Sequence, residues 1–424
     1  MKLLHCLFLC IAVSAANALL GRSFAKLTAK SEAGKLWAVL VAGSDGWDNY
    51  RHQSDICHAY QILHNHGIPD ERIIVFMKDD LANNPENPTP GIIINHPNGA
   101  DVYKGVPHDY VQEAVTPENF MAVLRGDKKA LNGVGSGKVL QSGPNDHVFV
   151  YFADHGAPGL IAFPESELSA RDLNKTIKYM YDNGRYGKMV IYIEACESGS
   201  MFENLLPNNI NVYATTAANG EESSYACYFD EKRETYLGDL YSVKWMEDSD
   251  QEVLTKETLY HQYKIVKEET TESHVQKFGD MKIAKMHVSE FQGRKSTVPI
   301  ILPKEELNAV KSRDVPVELL RRKLMNTDSI VDRKRLEKKL NKMYRNRLFV
   351  YDVMMKIANA TVPHIKDVYD MVAYHSKLTN FECYDNIRQY FNEECFQLSK
   401  NPYVLEFLYI LVNLCEKYPK SQII

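Results

Sequence analysis

Two short apolar runs, each ending in a reactive side chain, place the strongest constraint on this chain. The run at 148–156 ends in His155 and Gly156, and the run at 190–200 ends its apolar part just before Cys196. Such runs are typical of strands buried on both faces of a parallel sheet. Because ligands bind at the carboxyl ends of these strands, neighbouring strands would bring an imidazole and a thiol together. That pair generates a thiolate nucleophile.

Each of these residues alone also has an ordinary interpretation. A free cysteine is commonly a small buried apolar side chain, and a histidine after a strand is commonly a hydrogen-bonded loop residue. Taken together, at matching strand ends and with Gly156 and Gly199 close by, they favour a catalytic pair. Glycine lets the backbone of a substrate approach closely.

Long segments of uncommon composition are distributed over nearly the whole chain. They include WAVLVAGS at 37–44, NYRHQ at 49–53, SGKVLQSGP at 136–144, IEACESGS at 193–200, ESSYACY at 222–228 and RRKLMNT at 321–327. On these segments the chain resembles the legumain family of asparaginyl endopeptidases. The resemblance implies an α/β, caspase-like fold with a mostly parallel sheet flanked by helices on both faces, plus a C-terminal all-helical prodomain. It implies a cysteine endopeptidase that cuts after Asn and uses no metal or cofactor.

The resemblance assigns the catalytic roles residue by residue. Cys196 matches the nucleophile, His155 the proton donor to the leaving amine, and Asn49 the residue that orients this histidine. Gly156 and the backbone N–H of Cys196 match the oxyanion donors. A free thiol has a pKa near ~8.5, so at acidic pH it needs an imidazolium partner to ionise. Asn49 follows Asp48, and this pair is equally good turn chemistry.

A second set of residues matches a pocket for an Asn side chain. Arg51 matches the donor to the amide oxygen, Glu194 and Asp239 match the acceptors of the amide nitrogen, and His52 and Ser223 match further pocket positions. A polar pocket rejects apolar side chains because its own groups would stay unpaired. A protonated Asp mimics Asn, so the resemblance predicts cleavage after Asp at acidic pH alone.

Two positions depart from the family pattern. Asp45 stands where many relatives have Asn, and Ala153 stands where many have Thr. Asp154, which follows, is retained, and the resemblance implies that it can form a succinimide linked to peptide ligation. A transpeptidase that uses the same site therefore remains an alternative. A non-catalytic secreted binding protein is another, since 125–127 reads Arg-Gly-Asp.

The order of segments predicts a secreted precursor. A positive residue, an apolar stretch too short to span a membrane, and Ala16-Asn17-Ala18 indicate a signal peptide. The secretory route would then end in lysosome- or endosome-like vesicles or in an acidic lumen. The predicted segments are a signal peptide at 1–18, a spacer at 19–35, a catalytic domain at 36–302, a basic linker at 303–345 and a helical prodomain at 346–424.

Charge is unevenly distributed over the chain. The net charge is −5, which argues against a nucleic-acid partner, yet 303–347 holds 14 Lys and Arg against 7 Asp and Glu. The remainder is strongly acidic, so we predict that the basic linker attracts the body and that the prodomain acts as an intramolecular inhibitor. The alternative is a solvated run of charge. Acidification would protonate carboxylates, weaken the attraction and allow cleavage at Asn326, which matches the family's self-cleavage site. Other expected partners are protein and peptide substrates and cystatin-type inhibitors.

Periodicity predicts the main secondary-structure elements. Strands are expected at 37–42, 73–77, 148–152, 189–193, 210–214 and 285–291. Helices are expected at 55–66, 173–181, 255–268, through most of 317–360 and at 403–415. Strands that alternate with helices indicate a parallel sheet covered on both faces.

Cysteines and glycosylation signals complete the sequence reading. By resemblance Cys383 pairs with Cys415, which leaves Cys395 without a partner. Cys57, Cys196 and Cys227 are expected to be unpaired. Asn174 and Asn359 fit the acceptor pattern for N-glycosylation.

Overall fold

A mostly parallel β-sheet forms the centre of the protein, which a computed structural model describes at residues 34–362 and 365–417. The main sheet has the order β11-β8-β7-β3-β1-β2, and its strands are parallel except for β11, which is antiparallel to β8. Two small antiparallel sheets, β4-β5-β6 and β10-β9-β12, lie beyond it. The strands are β1 (Leu36–Ala42), β2 (Ile73–Phe76), β3 (His147–Ala153), β4 (Gly156–Ala157), β5 (Leu160–Ala162), β6 (Glu167–Ser169), β7 (Lys188–Glu194), β8 (Val212–Thr216), β9 (Tyr225–Asp230), β10 (Thr235–Asp239), β11 (Gln276–Gly279) and β12 (Val310–Lys311).

Helices cover both faces of the main sheet. Alternate residues of β1 enter two different cores: Ala38 and Leu40 pack with the first, fourth and fifth helices, and Val39 and Val41 pack with the second and third. This is the period of two that a strand imposes on its side chains. The helices are α1 (Tyr50–Asn65), α2 (Pro117–Arg125), α3 (Ala170–Asp182), α4 (Leu240–Gln251), α5 (Leu259–Glu269), α6 (Ser289–Gln292), α7 (Val315–Asn326), α8 (Ile330–Thr361), α9 (Ile365–Ala373), α10 (Phe381–Glu394) and α11 (Leu408–Lys417).

The predicted α/β class is confirmed, and one predicted strand is wrong. Segment 285–291 forms the end of a 3-10 turn and the start of α6, whereas the neighbouring edge strand is β11, at Gln276–Gly279. Met286 and Val288 alternate like strand residues, but Phe291 stacks on His147 from a helical turn instead. Two apolar positions were too few to specify strand pairing.

The C-terminal helices form their own apolar core, which continues onto the α/β body of residues 36–302. This core joins residues of α8 to α11 with Ala157 and Leu160 of the β4–β5 hairpin. We call residues 348–417 the tail. A disulfide between Cys383 and Cys415 links α10 to α11 within it, as the resemblance implied. Among the described residues, Cys57, Cys196, Cys227 and Cys395 are free.

The predicted signal peptide and nearly all of the predicted spacer lie outside the described residues, as do 418–424. Within the described part of the chain, every helix is too short or too polar to cross a membrane. The run at 403–415, predicted as one helix, is a 3-10 segment at Pro402–Phe407 followed by α11.

Candidate active site

The register of the main sheet brings His155 and Cys196 to the same edge. Ala153 at the end of β3 pairs with Glu194 at the end of β7. His155 lies two positions after the end of β3, and Cys196 lies two positions after the end of β7. Both side chains are buried. A Cβ atom on Gly156 would lie 2.3 Å from the carbonyl oxygen of Cys196, so the two loops are in direct contact. The glycine is required for this close approach.

Asn49 orients the imidazole. Its Oδ1 lies 2.9 Å from His155 Nε2, and its Nδ2 donates to the carbonyl oxygen of Asp45 at 2.9 Å. An amide oxygen only accepts, so Nε2 must carry the proton and Nδ1 is the free base. Nδ1 has no hydrogen-bond partner among the described residues. Asp45 acts through its backbone, so the change from Asn at this position leaves the contact intact.

Cys196 lies in a polar niche. Its Sγ accepts a hydrogen bond from the Ser224 backbone N–H at 3.4 Å and lies 3.3 Å from Ser223 Oγ. Burial holds the pKa of His155 well below its usual range, and the positive charges of Arg51 and Arg313 lower it further. Burial and these two cations therefore favour the neutral form of the imidazole in the closed form.

The predicted pocket residues come together beside this pair. Arg51 Nε donates to Asp239 Oδ1 at 2.9 Å, and Glu194 Oε2 accepts from the Ser242 N–H at 3.0 Å and from its Oγ at 2.9 Å. All of these side chains are buried. Glu194 Oε1 and Asp239 Oδ2 have no hydrogen-bond partner among the described residues. Burial raises the pKa of both carboxyl groups, and for Glu194 the charge of Asp239 adds to the effect.

Asp55, which the sequence reading missed, supports the pocket from behind. Its Oδ2 accepts from the Asp239 N–H at 3.2 Å, and its Oδ1 accepts from Asn95 Nδ2 at 2.7 Å. Burial and the neighbouring Asp239 raise its pKa well above its usual range. No motif signals this role, because Asp55 looks like an ordinary helix residue.

His52 lies between the pocket residues and His155. Its Nδ1 lies 2.6 Å from Ser44 Oγ and 3.0 Å from Asp154 Oδ1, and its ring meets the ring of His155 edge to face at 5.0 Å. The Ser44 contact has the better hydrogen-bond geometry, since Asp154 Oδ1 lacks a bonded partner among the described residues. The carboxyl group of Asp154 accepts from the His155 N–H, which lowers its pKa, but burial dominates and raises it.

The basic linker crosses the site as an added strand. β12 pairs antiparallel with β9, and the Ser312 N–H donates to the Ser224 carbonyl oxygen at 3.0 Å. Arg51 Nη2 donates to Ser312 Oγ at 2.8 Å. The next residue, Arg313, donates to both carboxyl oxygens of Glu197 and, at 2.7 Å, to the carbonyl oxygen of Gly156.

Comparison with known proteins supplies the family. The sequence profile of the peptidase C13 family matches residues 36–294. The chain belongs to the peptidase C13 family. It is 54% identical to legumain of Homo sapiens over 92% of both chains, and 47% identical to the vacuolar-processing enzyme delta-isozyme of Arabidopsis thaliana over 80% of this chain and 77% of that one. A hemoglobinase of Schistosoma mansoni is 44% identical over 89% and 87%.

These similarities confirm the predicted enzyme class, an asparaginyl cysteine endopeptidase, and the predicted caspase-like fold of its family. A solved caspase-1 structure from Spodoptera frugiperda aligns with 63% of this chain and 92% of its own, at 9% identity. Its TM-score of 0.36 is too low to add to that conclusion.

The remaining predicted residues lie away from the pair. Asn326 is the exposed last residue of α7, and its Nδ2 donates to Glu231 Oε2 at 3.3 Å. Asn174 in α3 donates to the carbonyl oxygens of Ala170 and Met201, whereas Asn359 in α8 is exposed. The Arg-Gly-Asp tripeptide is the C-terminal cap of α2, with Gly126 in the left-handed region.

Proposed function

We propose that this peptidase hydrolyses the bond that follows an Asn residue, with Cys196 as nucleophile and His155 as acid and base. One observation carries the specificity: Glu194 Oε1 and Asp239 Oδ2 are buried acceptors without a hydrogen bond among the described residues, beside the donor Arg51, and Asp239 Oδ2 lies 3.5 Å from His52 Nε2. A side-chain amide offers two donors and one acceptor. It would complement this set, whereas an apolar side chain would leave the acceptors unpaired.

The reaction follows from the placement of the pair. Transfer of the Cys196 proton to His155 Nδ1 gives a thiolate, which attacks the carbonyl carbon of the Asn residue. The backbone N–H groups of Gly156 and Cys196 hold the resulting oxyanion. His155 then protonates the leaving amine, and the C–N bond breaks to give a thioester. Water activated by the same histidine releases the acid, and Asn49 keeps the ring oriented throughout.

Cleavage after Asp requires acid in this scheme. A charged Asp would face Glu194 and Asp239, and like charges close together in a buried site repel strongly. A protonated Asp presents one O–H donor and one acceptor, as half of an amide does. His52 and Ser223 complete the pocket wall, and Asp154 is the candidate for the succinimide.

The chain is best explained as a zymogen that opens on acidification. We infer a catalytic domain at 36–302, an activation segment at 303–345 and an inhibitory helical region at 346–424, delivered through the secretory route to an acidic compartment. Ser312 accepts the hydrogen bond of Arg51, the proposed donor of the pocket, and Asn326 is exposed 14 positions further along the chain. A second molecule is therefore the natural agent of the cut at Asn326. Glycans at Asn359 and Asn174, and inhibition by cystatin-type proteins, are further proposals.

Acid incubation of the full chain, followed by digestion of a peptide library, tests this function. We expect cleavage after Asn that is absent from Cys196→Ala, and loss of the tail that is absent from Asn326→Ala. An active precursor that does not cut after Asn would contradict the proposal. If a supplied amine is incorporated in preference to water, the transpeptidase alternative is correct instead.

A further inference from the structure

The carboxyl group next to the nucleophile is held by a residue of the chain's own linker. Glu197 is 4% exposed and has a φ of 48°, the left-handed backbone region. Both of its carboxyl oxygens accept from Arg313, which is 6% exposed. A carboxylate buried this deeply needs a cationic partner or a proton. When the linker leaves, Glu197 loses that partner and still faces the cleft.

The linker lies in the cleft as a substrate would. Val310 pairs with Ala226 and Lys311 with Tyr225, and Ser312 continues this pairing through its bond to the carbonyl oxygen of Ser224. The N–H of Ser224 is also the donor to Cys196 Sγ, so the Ser312 backbone passes beside the nucleophile. Extended peptides commonly bind by adding a strand to a sheet edge in this manner.

Side-chain contacts fix the register of that strand. Ser312 Oγ accepts from Arg51 and so takes the position proposed for the side-chain oxygen of a substrate Asn. The following residue, Arg313, contacts Gly156 and Glu197, which directly follow His155 and Cys196 in the chain. The bond between residues 312 and 313 thus stands where the scissile bond of a substrate would stand.

We propose that Glu197 is a specificity residue that selects a basic side chain, arginine above lysine, at the substrate residue following the scissile bond. This inference rests on the proposed function, since it assumes that Asn occupies the pocket of Arg51. The guanidinium of such a residue would take the place of Arg313, donating to Glu197 and to the carbonyl oxygen of Gly156. A planar fork of donors suits a carboxylate better than a lysine ammonium does.

The surrounding charge favours the same choice. A cavity of about 300 Å³ beside Arg313 is lined by Glu197, Glu221, Glu222, Glu272, Asp314 and Glu406. Of these, Asp314 belongs to the linker and Glu406 to the tail, so the others remain with the catalytic body after activation. Glu222 is paired with His274 at 2.8 Å, so an acidic side chain after the scissile bond would meet chiefly the negative charge of Glu197, Glu221 and Glu272.

The first experiment compares acid-activated enzyme on matched peptides that differ only in the residue after Asn: Arg, Lys, Gln or Glu. We expect kcat/KM for Arg to exceed that for Gln by about tenfold or more, the size of one hydrogen-bonded charge contact. Glu197→Gln should reduce this ratio to near unity. Glu221→Gln, which removes a charge from the same cavity without touching Arg313, should retain it.

Two results would overturn the inference. One is equal turnover of the Arg and Gln peptides by the unsubstituted enzyme, and the other is a preference that survives in Glu197→Gln. The first needs no variant, so it holds even if Glu197→Gln fails to fold. A peptide with Ala after Asn separates this failure from failure of the proposed function, because that peptide is cut only if Asn is recognised.

The second experiment tests the register in the full chain. Ser312→Asn should turn the linker into a substrate, and intact mass should show a new cut between residues 312 and 313. Lys311→Asn, one position out of register, should give no cut at 311. A cut after residue 311 in the Lys311→Asn chain would show that the linker lies in another register. So would the absence of a cut after residue 312 in Ser312→Asn while the Asn326 bond is cleaved.

Discussion

Two parts of the same basic segment behave in opposite ways. Arg313 is buried and contacts Gly156 and Glu197, the residue after Cys196. The first turns of α8 carry more positive charge, but their cations are exposed. Arg335 pairs with Asp332, and Arg333 donates to the carbonyl oxygen of Thr327, so these contacts stay within the segment. The exposed cations are Arg333, Lys334, Arg335, Lys338, Lys339, Lys342 and Arg345.

The difference shows that placement decides what a charged run does. Exposed pairs contribute little because water and salt screen them. A buried arginine whose hydrogen bonds are satisfied is coupled to its site far more strongly. The close ion pairs between linker and body include those of Arg313 with Glu197 and of Lys323 with Glu234, the latter at 3.4 Å, whereas on α8 the charge of Lys339 reaches Asp48 of the body without a close pair.

Substitution of Arg313 should have the largest effect. Arg313→Ala leaves Glu197 buried without its partner, a loss that usually costs about 3–5 kcal/mol. We expect the full chain to open at neutral pH, with labelling of Cys196 by a thiol-directed probe raised at least about a hundredfold. Lys338→Ala on α8 is the matched control. If both variants label at the unsubstituted rate, the contrast between the two parts of the linker is wrong.

The apolar seal of the tail should come next. Leu378 is 7% exposed and packs on Gly159, where an added Cβ would lie 2.6 Å from its Cδ2 atom. Leu378→Ala removes buried contacts worth about 2 kcal/mol, the low end for such changes. We expect an increase of about thirtyfold in probe labelling at neutral pH. Exposed Leu348→Ala serves as control, and equal rates would show that the arginine alone holds the site closed.

Acid sensitivity should depend on Glu197. Burial raises its pKa from 4.5, Glu406 and Glu222 raise it further, and Arg313 lowers it. Where Glu197 keeps its burial after the linker leaves, withdrawal of Arg313 removes the lowering influence, so the open form binds a proton more tightly than the closed form. Acidification therefore favours opening, and the contact persists at pH values above the pKa of Glu197.

The Glu197→Gln variant has no carboxyl group at this position to bind a proton on acidification. The ratio of labelling at about pH 5 to that at about pH 7 should therefore fall. Glu165, whose pKa is lowered by its bond to Lys400, keeps a small remaining dependence of the same sign. An unchanged ratio in Glu197→Gln would assign the switch to other carboxyl groups.

The exposed cations of α8 should matter least. Replacing Lys334, Lys338 and Lys342 together by Gln should change the free energy of opening by less than about 0.5 kcal/mol. Labelling as a function of pH measures this directly. A large shift would mean that the solvated charge acts at long range, and low salt should then enlarge it.

The strand ends and their chemistry could be predicted from the sequence because both are local signals. Apolar runs fix β3 and β7, and the parallel register then places His155 and Cys196 at one edge. The pocket could not be derived this way. Arg51 and Asp239 are 188 positions apart and meet through α1 and β10, so only the resemblance identified them.

The insertion of Ser312 and Arg313 had no usable signal. Arg313 is one of many cations in its segment, and nothing local distinguishes the one that becomes buried. β12 is two residues long and exists because the edge of β9 is available. Long-range pairing of so short a segment lies beyond periodicity. The predicted strand at 285–291 failed for the same reason, since tertiary packing chose a helical turn.

The position of the disulfide decides what happens after the linker is cut. Both of its cysteines, Cys383 and Cys415, lie in the tail. A single break at Asn326 therefore leaves the tail bound to the body by non-covalent contacts within the described residues. Binding then changes from intramolecular to bimolecular, and the effective concentration supplied by the tether is lost. Freshly cut enzyme should retain the tail at high protein concentration, release it on dilution and bind it again when it is added, while Ser312 and Arg313 stay joined to the body on the N-terminal side of the cut.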